Sequence, residues 1–521
     1  MKTQPTRRGF LADVGSGMLV ASVGYGMALD LGLAPALADD CCEPLTFGAI
    51  EPLVEMMQET PVNKLVLLLV EKLRSGTEPR QLMAAAALAN ARTFGGEDYV
   101  GFHTMMAMAP AFHMAKELAE DRRPLPIIKV MYRNTNRIQE SGGRKKEVLS
   151  CVEPAELPSD RVGGEVLREA VRSKDIEKAD RTFAALAKGS ADDAFNALLF
   201  AVQDNTEVHR VVLPYRAWDL LGLIGKEQAQ TLLRQSVHYC VKSERDWNHS
   251  EETDKPRKLL PKLLDQHHLL GRSPGSRAAD DGWVDRLSQT IFQSSPEQAA
   301  DAAAAALAEG MAPAAIGEAI CLAANQLVLR DRGRTEREVQ AGKPLGSVHG
   351  DSIGVHACDS ANAWRNMARV SNTRNTVASL ILGAYQVAYD RTNRGGDFLN
   401  WHPHPLAAEV EPIQETNPTA LLSEAESAIK ANDQYRACAV VHRYGELEHA
   451  ARPVFDMLLR YAVSEDGALH AEKFYRTVSE EFASTRPAYR WRQLVALARV
   501  TASEYGRPAP GYDEACKLLQ V

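Results

Sequence analysis

The stretch 307-LAEGMAPAAIGEAICLAANQ-326 ends one helix-forming run at Gly310 and begins a second after Pro313. Alanine and leucine favour helix, and a glycine often adopts the left-handed conformation that ends one. The earlier stretch 73-LRSGTEPRQLMAAAALAN-90 has the same order, with Gly76 at the turn. The two stretches predict helical hairpins, and their likeness predicts an all-α chain with an internal repeat.

The match extends beyond the hairpins. Residues 101–103 (GFH) and 354–356 (GVH) follow the second run of each stretch, and the two segments then align without a gap as far as Tyr132 and Tyr385. Each copy therefore predicts a helix, a turn, a second helix and a loop. A histidine then stands at the head of a third helix, and a fourth helix follows.

Two fainter copies have the same order. Gly189 precedes an Ala-rich run and then His209, and Asn432 precedes another run and then His470. Helical hairpins that cannot bury their apolar faces alone stack on neighbours. We predict an all-α fold with four copies of a helix-turn-helix/His-helix-helix unit, stacked as a helical repeat domain with pseudo-twofold halves. The alternative for the fainter copies is a similarity of composition alone.

The first residues are typical of an export signal. Residues 6–11 (TRRGFL) match the twin-arginine consensus, and residues 36–38 (ALA) have the small-x-small pattern of a signal peptidase site. A short membrane anchor or an ordinary Sec signal is the alternative. We predict a periplasmic or secreted protein carried by the twin-arginine export machinery. Because that route transports folded proteins, often with a cofactor bound, it also hints at a cofactor.

Polar stretches divide the chain. We expect a signal peptide at 1–38 and an N-terminal helical half with copies one and two at 39–250. A polar linker at 251–295 then leads to a C-terminal helical half with copies three and four at 296–521. A mature chain of about 480 residues exceeds the usual size of one domain, which agrees with two halves.

Charge and hydropathy argue against two classes of partner. The formal net charge of −8 is spread along the chain, whereas nucleic acid requires a basic face. The longest apolar run of the mature chain, residues 65–70, is far shorter than the roughly 18 residues of a transmembrane helix. We therefore predict no nucleic-acid partner and no transmembrane span in the mature chain.

A histidine recurs at the same place in all four copies. If the copies converge on one cavity, the imidazoles could bind a metal or transfer protons at neutral pH. In the structural alternative, each histidine caps its helix or satisfies a buried carbonyl. The candidate catalytic residues are His103, His209, His356 and His470.

The third copy has the densest group of potential metal ligands. His349 and His356 are seven residues apart, with Asp351 between them and Asp359 three residues beyond. On a helix both histidines and Asp359 would share a face, although the glycines within 346–354 indicate that part of the segment is a loop. Imidazole and carboxylate ligands suit iron, manganese or zinc. These four residues are the predicted metal ligands.

Parts of the chain between about 180 and 390 resemble the questin oxidase-like family. The shared pattern comprises residues 208–210 (VHR) before the apolar helix 218–224, the hairpin 307–324, and residues 354–356 (GVH). The resemblance implies a helical fold with histidines at helix starts and an association with oxidation of aromatic polyketides. It does not assign individual catalytic residues.

These observations lead to one functional hypothesis and one alternative. We expect an exported, metal-using oxidoreductase that acts on a small organic substrate in a cavity lined by the repeat histidines. The alternative is a non-enzymatic helical repeat scaffold or binding module of the cell envelope. Histidines gathered at one place favour the enzyme, and histidines scattered on outer turns favour the scaffold.

Overall fold

The Ala- and Leu-rich runs are α-helices. The computed structural model describes residues 44–246, 254–393 and 395–521, and within these ranges the chain forms 23 α-helices and no strand. This confirms the all-α prediction. The predicted signal peptide at 1–38 lies outside the described residues.

The helices fall into two groups by position along the chain. The first group is α1 (Glu51–Glu59), α2 (Val62–Arg74), α3 (Pro79–Phe94), α4 (Tyr99–Glu117), α5 (Pro124–Glu140), α6 (Gly163–Arg172), α7 (Ile176–Leu186), α8 (Ala191–Val202), α9 (Val208–Ile224), α10 (Ala229–Asp246) and α11 (Lys255–Gln266). The second group is α12 (Asp281–Gln293), α13 (Pro296–Ala308), α14 (Pro313–Arg330), α15 (Ile353–Val370), α16 (Thr373–Asn393), α17 (Ala407–Val410), α18 (Pro418–Lys430), α19 (Gln434–Glu446), α20 (Arg452–Ser464), α21 (His470–Ser484), α22 (Trp491–Glu504) and α23 (Tyr512–Leu519).

Three of the four predicted turn residues are in the left-handed conformation. Gly76 has a φ of +91°, Gly310 of +79° and Asn432 of +54°. Gly189 also follows a helix end, but its φ is not positive. The left-handed turn therefore explains three of the four hairpins, and the hairpin between α7 and α8 closes without it.

Four helices form a closed ring at the centre of the molecule. Helix α4 packs on α9, α9 on α15, α15 on α21, and α21 back on α4. Each of these helices also packs on the helix that follows it along the chain. The ring helices are thus covered from outside, and their inward faces enclose the centre of the bundle.

Residues 45–521 form one compact unit. Helices α11 and α12 lie within the predicted linker segment, where α11 contacts α16 and α12 contacts α14. The division into two halves remains a prediction. None of the helices in the described ranges is long and apolar enough to cross a membrane.

Gly354 lets α15 approach α14 closely. A Cβ atom at this position would lie 2.5 Å from the backbone nitrogen of Val328 and 2.7 Å from its Cα. Backbone atoms cannot swing aside as a side chain can, so the first turn of α15 requires glycine. Because His356 stands two residues later, this contact also fixes the position of that histidine along α15 relative to α14.

We expect Gly354→Ala to destabilise the protein by about 1–3 kcal/mol through overpacking. Gly222, in the last turn of α9, is the matched control because a Cβ there meets nothing within 4 Å. Gly222→Ala should stabilise the helix by about 0.5–1 kcal/mol. Urea unfolding measures both effects, and equal stabilities of the two variants would contradict the close approach.

Candidate functional site

The four repeat histidines meet at the centre of the helix ring. Each stands within the first five residues of its helix, so the four helices begin at one level. Neighbouring imidazoles are in contact all the way round. The ring centroids are 4.8 Å apart for His103–His209, 5.9 Å for His209–His356, 5.3 Å for His356–His470 and 5.2 Å for His470–His103.

Two of the imidazoles are oriented by their own helices. His103 Nδ1 lies 2.7 Å from the carbonyl oxygen of Tyr99, and His356 Nδ1 lies 3.0 Å from that of Ser352. A carbonyl oxygen only accepts hydrogen bonds, so Nδ1 donates in both cases. The Nε2 atom of each neutral ring then carries the lone pair, which is the tautomer that binds a metal through Nε2.

A buried carboxylate orients the third imidazole. His209 Nδ1 lies 2.6 Å from Glu207 Oε1, and Glu207 also accepts hydrogen bonds from the backbone of His209 and Arg210 and from the Tyr239 hydroxyl at 2.7 Å. Burial disfavours the charge, but the adjacent His209 and these donors outweigh it and lower the Glu207 pKa to about 2. Glu207 is therefore ionised and fixes the ring of His209.

The atoms that face the centre lack hydrogen-bond partners. The Nε2 atoms of His103, His209 and His470 are buried and have no partner among the described residues. Leaving a buried polar atom unpaired costs about 1–3 kcal/mol. Three such atoms belong to the cluster of contacting imidazole rings.

The spacing of the imidazoles is close to that of rings around one ion. With a metal–nitrogen bond of about 2.1 Å, and a ring nitrogen about 1.2 Å from its centroid, neighbouring centroids would be about 4.7 Å apart at right angles and about 5.4 Å apart at the tetrahedral angle. The observed separations run from 4.8 to 5.9 Å. Within the described ranges, however, no group of three or more His, Cys, Asp or Glu side chains has the geometry to hold a metal ion.

The surroundings disfavour the charged form of two of the imidazoles. Burial, followed by the charge of Lys473, lowers the pKa of both His103 and His470 well below the usual value. Burial also lowers the pKa of Lys473 itself, to about 8, although Asp359 and Glu472 favour its charge. Unprotonated imidazole is the form that binds metals, so the pair is ready to bind at neutral pH.

The other predicted metal ligands are not among the four imidazoles in ring contact. Asp351 is paired with Arg334 at 2.5 Å and with Lys343. His349 is buried with a pKa lowered to about 3, first by burial and then by nearby cations, and it has no recorded ring contact with the four histidines in the described structure.

Asp359 lies on α15 one turn beyond His356. It accepts a hydrogen bond from Thr477 at 2.7 Å, and burial raises its pKa. Of the four residues predicted as ligands in copy three, His356 lies at the centre of the helix ring, where it contacts His209 and His470.

Sequence reasoning missed Glu207 and Tyr99. Tyr99 stands at the first position of α4, and its ring lies 4.5 Å from that of His103 and 5.8 Å from that of His209. Glu207 is the N-cap of α9. A carboxylate two residues before a histidine at a helix start was the available signal for Glu207, and nothing in the sequence singled out Tyr99.

The turn before His470 contains two non-glycine residues in the left-handed conformation. Ala468 has a φ of +49° and Leu469 of +69°. Such conformations cost about 1–2 kcal/mol for residues other than glycine and cluster at functional sites. The His470 backbone nitrogen donates to Gly467 O at 2.9 Å, which closes the turn and sets the histidine at the helix start.

Comparison of the chain with family models, curated proteins and solved structures found no match. The resemblance to the questin oxidase-like family therefore remains an expectation, and the argument for function rests on the geometry of the site.

We expect Ala468→Gly to leave stability unchanged or to raise it by up to about 1 kcal/mol, because glycine adopts a positive φ without strain. The matched control is Ala302→Gly in the middle of α13, where the same substitution should cost about 1 kcal/mol. Thermal unfolding distinguishes the two. A comparable loss in both variants would show that the turn is unstrained.

Proposed function

We propose that His103, His209, His356 and His470 together hold one transition-metal ion, and that the protein is an exported oxidoreductase acting on a small organic substrate. The observation that carries the proposal is the convergence of the four repeat histidines, three of which direct buried, unpartnered Nε2 atoms at one place. The proposed metal site therefore takes one ligand from each of the four copies, whereas the sequence pattern favoured a site within copy three.

The donor set indicates the kind of ion. Imidazole nitrogen suits iron, copper, nickel and zinc better than magnesium or calcium. Four neutral ligands leave the charge of the ion uncompensated, and the Glu207 carboxylate behind His209 supplies a negative charge one bond further out. Of the predicted iron, manganese and zinc, iron agrees best with both the nitrogen ligands and an oxidoreductase, since it supplies one-electron chemistry when bound.

One side of the ring is within reach of solvent. His103 and His470 are 3% and 5% exposed, whereas the His209 side chain retains 12% exposure. Tyr99, beside His209, is 61% exposed. A substrate would therefore approach from the side of His209 and Tyr99.

The alternative function is the non-enzymatic scaffold. Histidines that only cap helices would need no common centre, and their Nε2 atoms would find partners or solvent. Their convergence favours the enzyme. The expected likeness to the questin oxidase-like family points in the same direction, toward oxidation of an organic substrate.

We also infer that the four histidine helices descend from one repeated unit. In each case the chain forms a helical hairpin, a helix headed by histidine and a following helix, although α20 is inserted before α21. Duplication explains why a single centre receives one ligand from each copy.

The metal prediction concerns protein purified without a His-tag. We expect about one equivalent of transition metal in the parent by elemental analysis, and its loss in His103→Gln, His356→Gln and His470→Gln. Removing one of four ligands lowers affinity directly, because each contributes a bond to the ion. Metal content should survive in His268→Gln, since His268 is exposed and distant in sequence from all four.

Glu207→Gln is the positioning variant for the same measurement. Loss of a carboxylate behind a ligating histidine typically lowers metal affinity 10–100-fold. Circular dichroism verifies that each variant folds. A folded parent that binds no metal when supplied with Fe²⁺, Zn²⁺ or Mn²⁺ would remove the metal proposal and leave the scaffold.

The export prediction concerns Arg7 and Arg8. We expect the double substitution of both by Lys to retain an uncleaved precursor in the cytoplasm, because the twin-arginine machinery reads that pair. Fractionation and immunoblotting measure the effect, and Lys2→Arg is the control for added or exchanged charge. Unimpaired export of the double variant would indicate a Sec signal instead.

A further inference from the structure

A cavity is formed by parts of three segments of the chain. It encloses about 570 Å³ between the loop that precedes α15 and the residues around the end of α22. This volume is within the range of small-molecule sites. The wall of the cavity includes Ser347, and three residues further along the same loop Gly350 contacts His470. A Cβ at Gly350 would lie 2.3 Å from the His470 Cβ, so the loop backbone passes close to that histidine.

The charge in this cavity comes from one guanidinium. Of the described residues that line it, Arg507 alone carries a formal charge. The Arg507 Nη2 atom is buried and has no hydrogen-bond partner among the described residues. Gly342, with a φ of +68°, lets the loop backbone pass over the guanidinium, since a Cβ there would lie 2.4 Å from Nε. Arginine presents a planar fork that matches a carboxylate.

The rest of the lining offers apolar surface. Leu345 and Val339 are 61% and 47% exposed, although both are large aliphatic residues. The rings of Tyr435 and Tyr505 form part of the opposite wall. A ligand with an apolar body would cover these side chains while its charged end reaches Arg507.

The floor of the cavity is held in place by hydrogen bonds. Gln434 donates to the Gly346 carbonyl and accepts from the Ser503 hydroxyl at 3.0 Å, which in turn accepts from the backbone nitrogen of Val348 at 3.2 Å. The polar groups of the floor are therefore engaged with one another, and Arg507 is the charged residue of the described lining that remains for a ligand.

We propose that this cavity binds a small organic monoanion, a carboxylate with an apolar body, through Arg507. The proposal concerns binding and does not depend on a metal in the histidine centre. The carboxylate takes the Arg507 fork, and the apolar body lies against Leu345, Val339 and the two tyrosines.

Titration calorimetry of the purified chain with three probes tests the proposal. Hexanoate has both the carboxylate charge and an apolar chain. Hexanamide has the apolar chain without the charge, and acetate has the charge without the chain. We expect hexanoate to bind at least tenfold more tightly than either of the other two. Equal binding of hexanoate and hexanamide, or no binding of hexanoate at millimolar concentration, would overturn the assignment.

Variants identify the contact. Arg507→Gln should weaken hexanoate binding at least tenfold, whereas Arg286→Gln, which removes an exposed arginine outside the cavity, should leave it unchanged. Leu345→Glu places a negative charge at the rim and should weaken hexanoate more than the neutral Leu345→Gln does. Full-strength binding in Arg507→Gln would contradict the proposal. Because metal content is measured separately, failure here and failure of the metal site are distinguishable.

Discussion

The structure depends on the convergence of four imidazoles at one point. Each imidazole brings a polar nitrogen into the middle of a helical bundle, and three of these nitrogens have no hydrogen-bond partner among the described residues. Such atoms are tolerated only where something else compensates them. The four helices must also begin at the same level, because each histidine lies in the first turns of its helix. The ring closure of α4, α9, α15 and α21 satisfies that requirement.

The electrostatics of this arrangement favour the neutral form of His103 and His470. A helix N-terminus carries a partial positive charge of about half a unit, and four of them meet here. Together with burial and Lys473, they disfavour imidazolium and keep lone pairs available. The same field would oppose a bound cation, so the proposed coordination bonds would have to exceed it. Glu207 is ionised, and its carboxylate accepts a hydrogen bond from the imidazole ring of His209.

Close approaches between backbone segments fix the relative positions of the helices and loops around the histidines. Gly354 brings α15 against α14, and Gly350 brings the preceding loop against His470. The strained turn at Ala468 and Leu469 sets the start of α21. The loop therefore contacts the histidine centre on one face and forms the wall of the Arg507 cavity on the other.

The sequence by itself determined the helical class, because alanine-rich runs and their turn residues act locally. It also singled out the four histidines, since each follows a hairpin in the same order of elements. The turn at Gly189 shows the limit of that reasoning: the hairpin forms, but with a φ that the glycine did not dictate. Local pattern likewise favoured a metal site within 349–359, where candidate ligands are dense.

Only the tertiary structure decided which ligands meet. The residues 103, 209, 356 and 470 are each separated by more than a hundred positions, and their contact depends on the way α4 closes on α21. The same packing placed Asp351 between two cations and Asp359 one turn below the ring, where each has another partner. Whether a side chain is a ligand or a structural residue depends on which neighbours come within about 3 Å of it. That is a property of helix packing, which spacing along the chain does not contain.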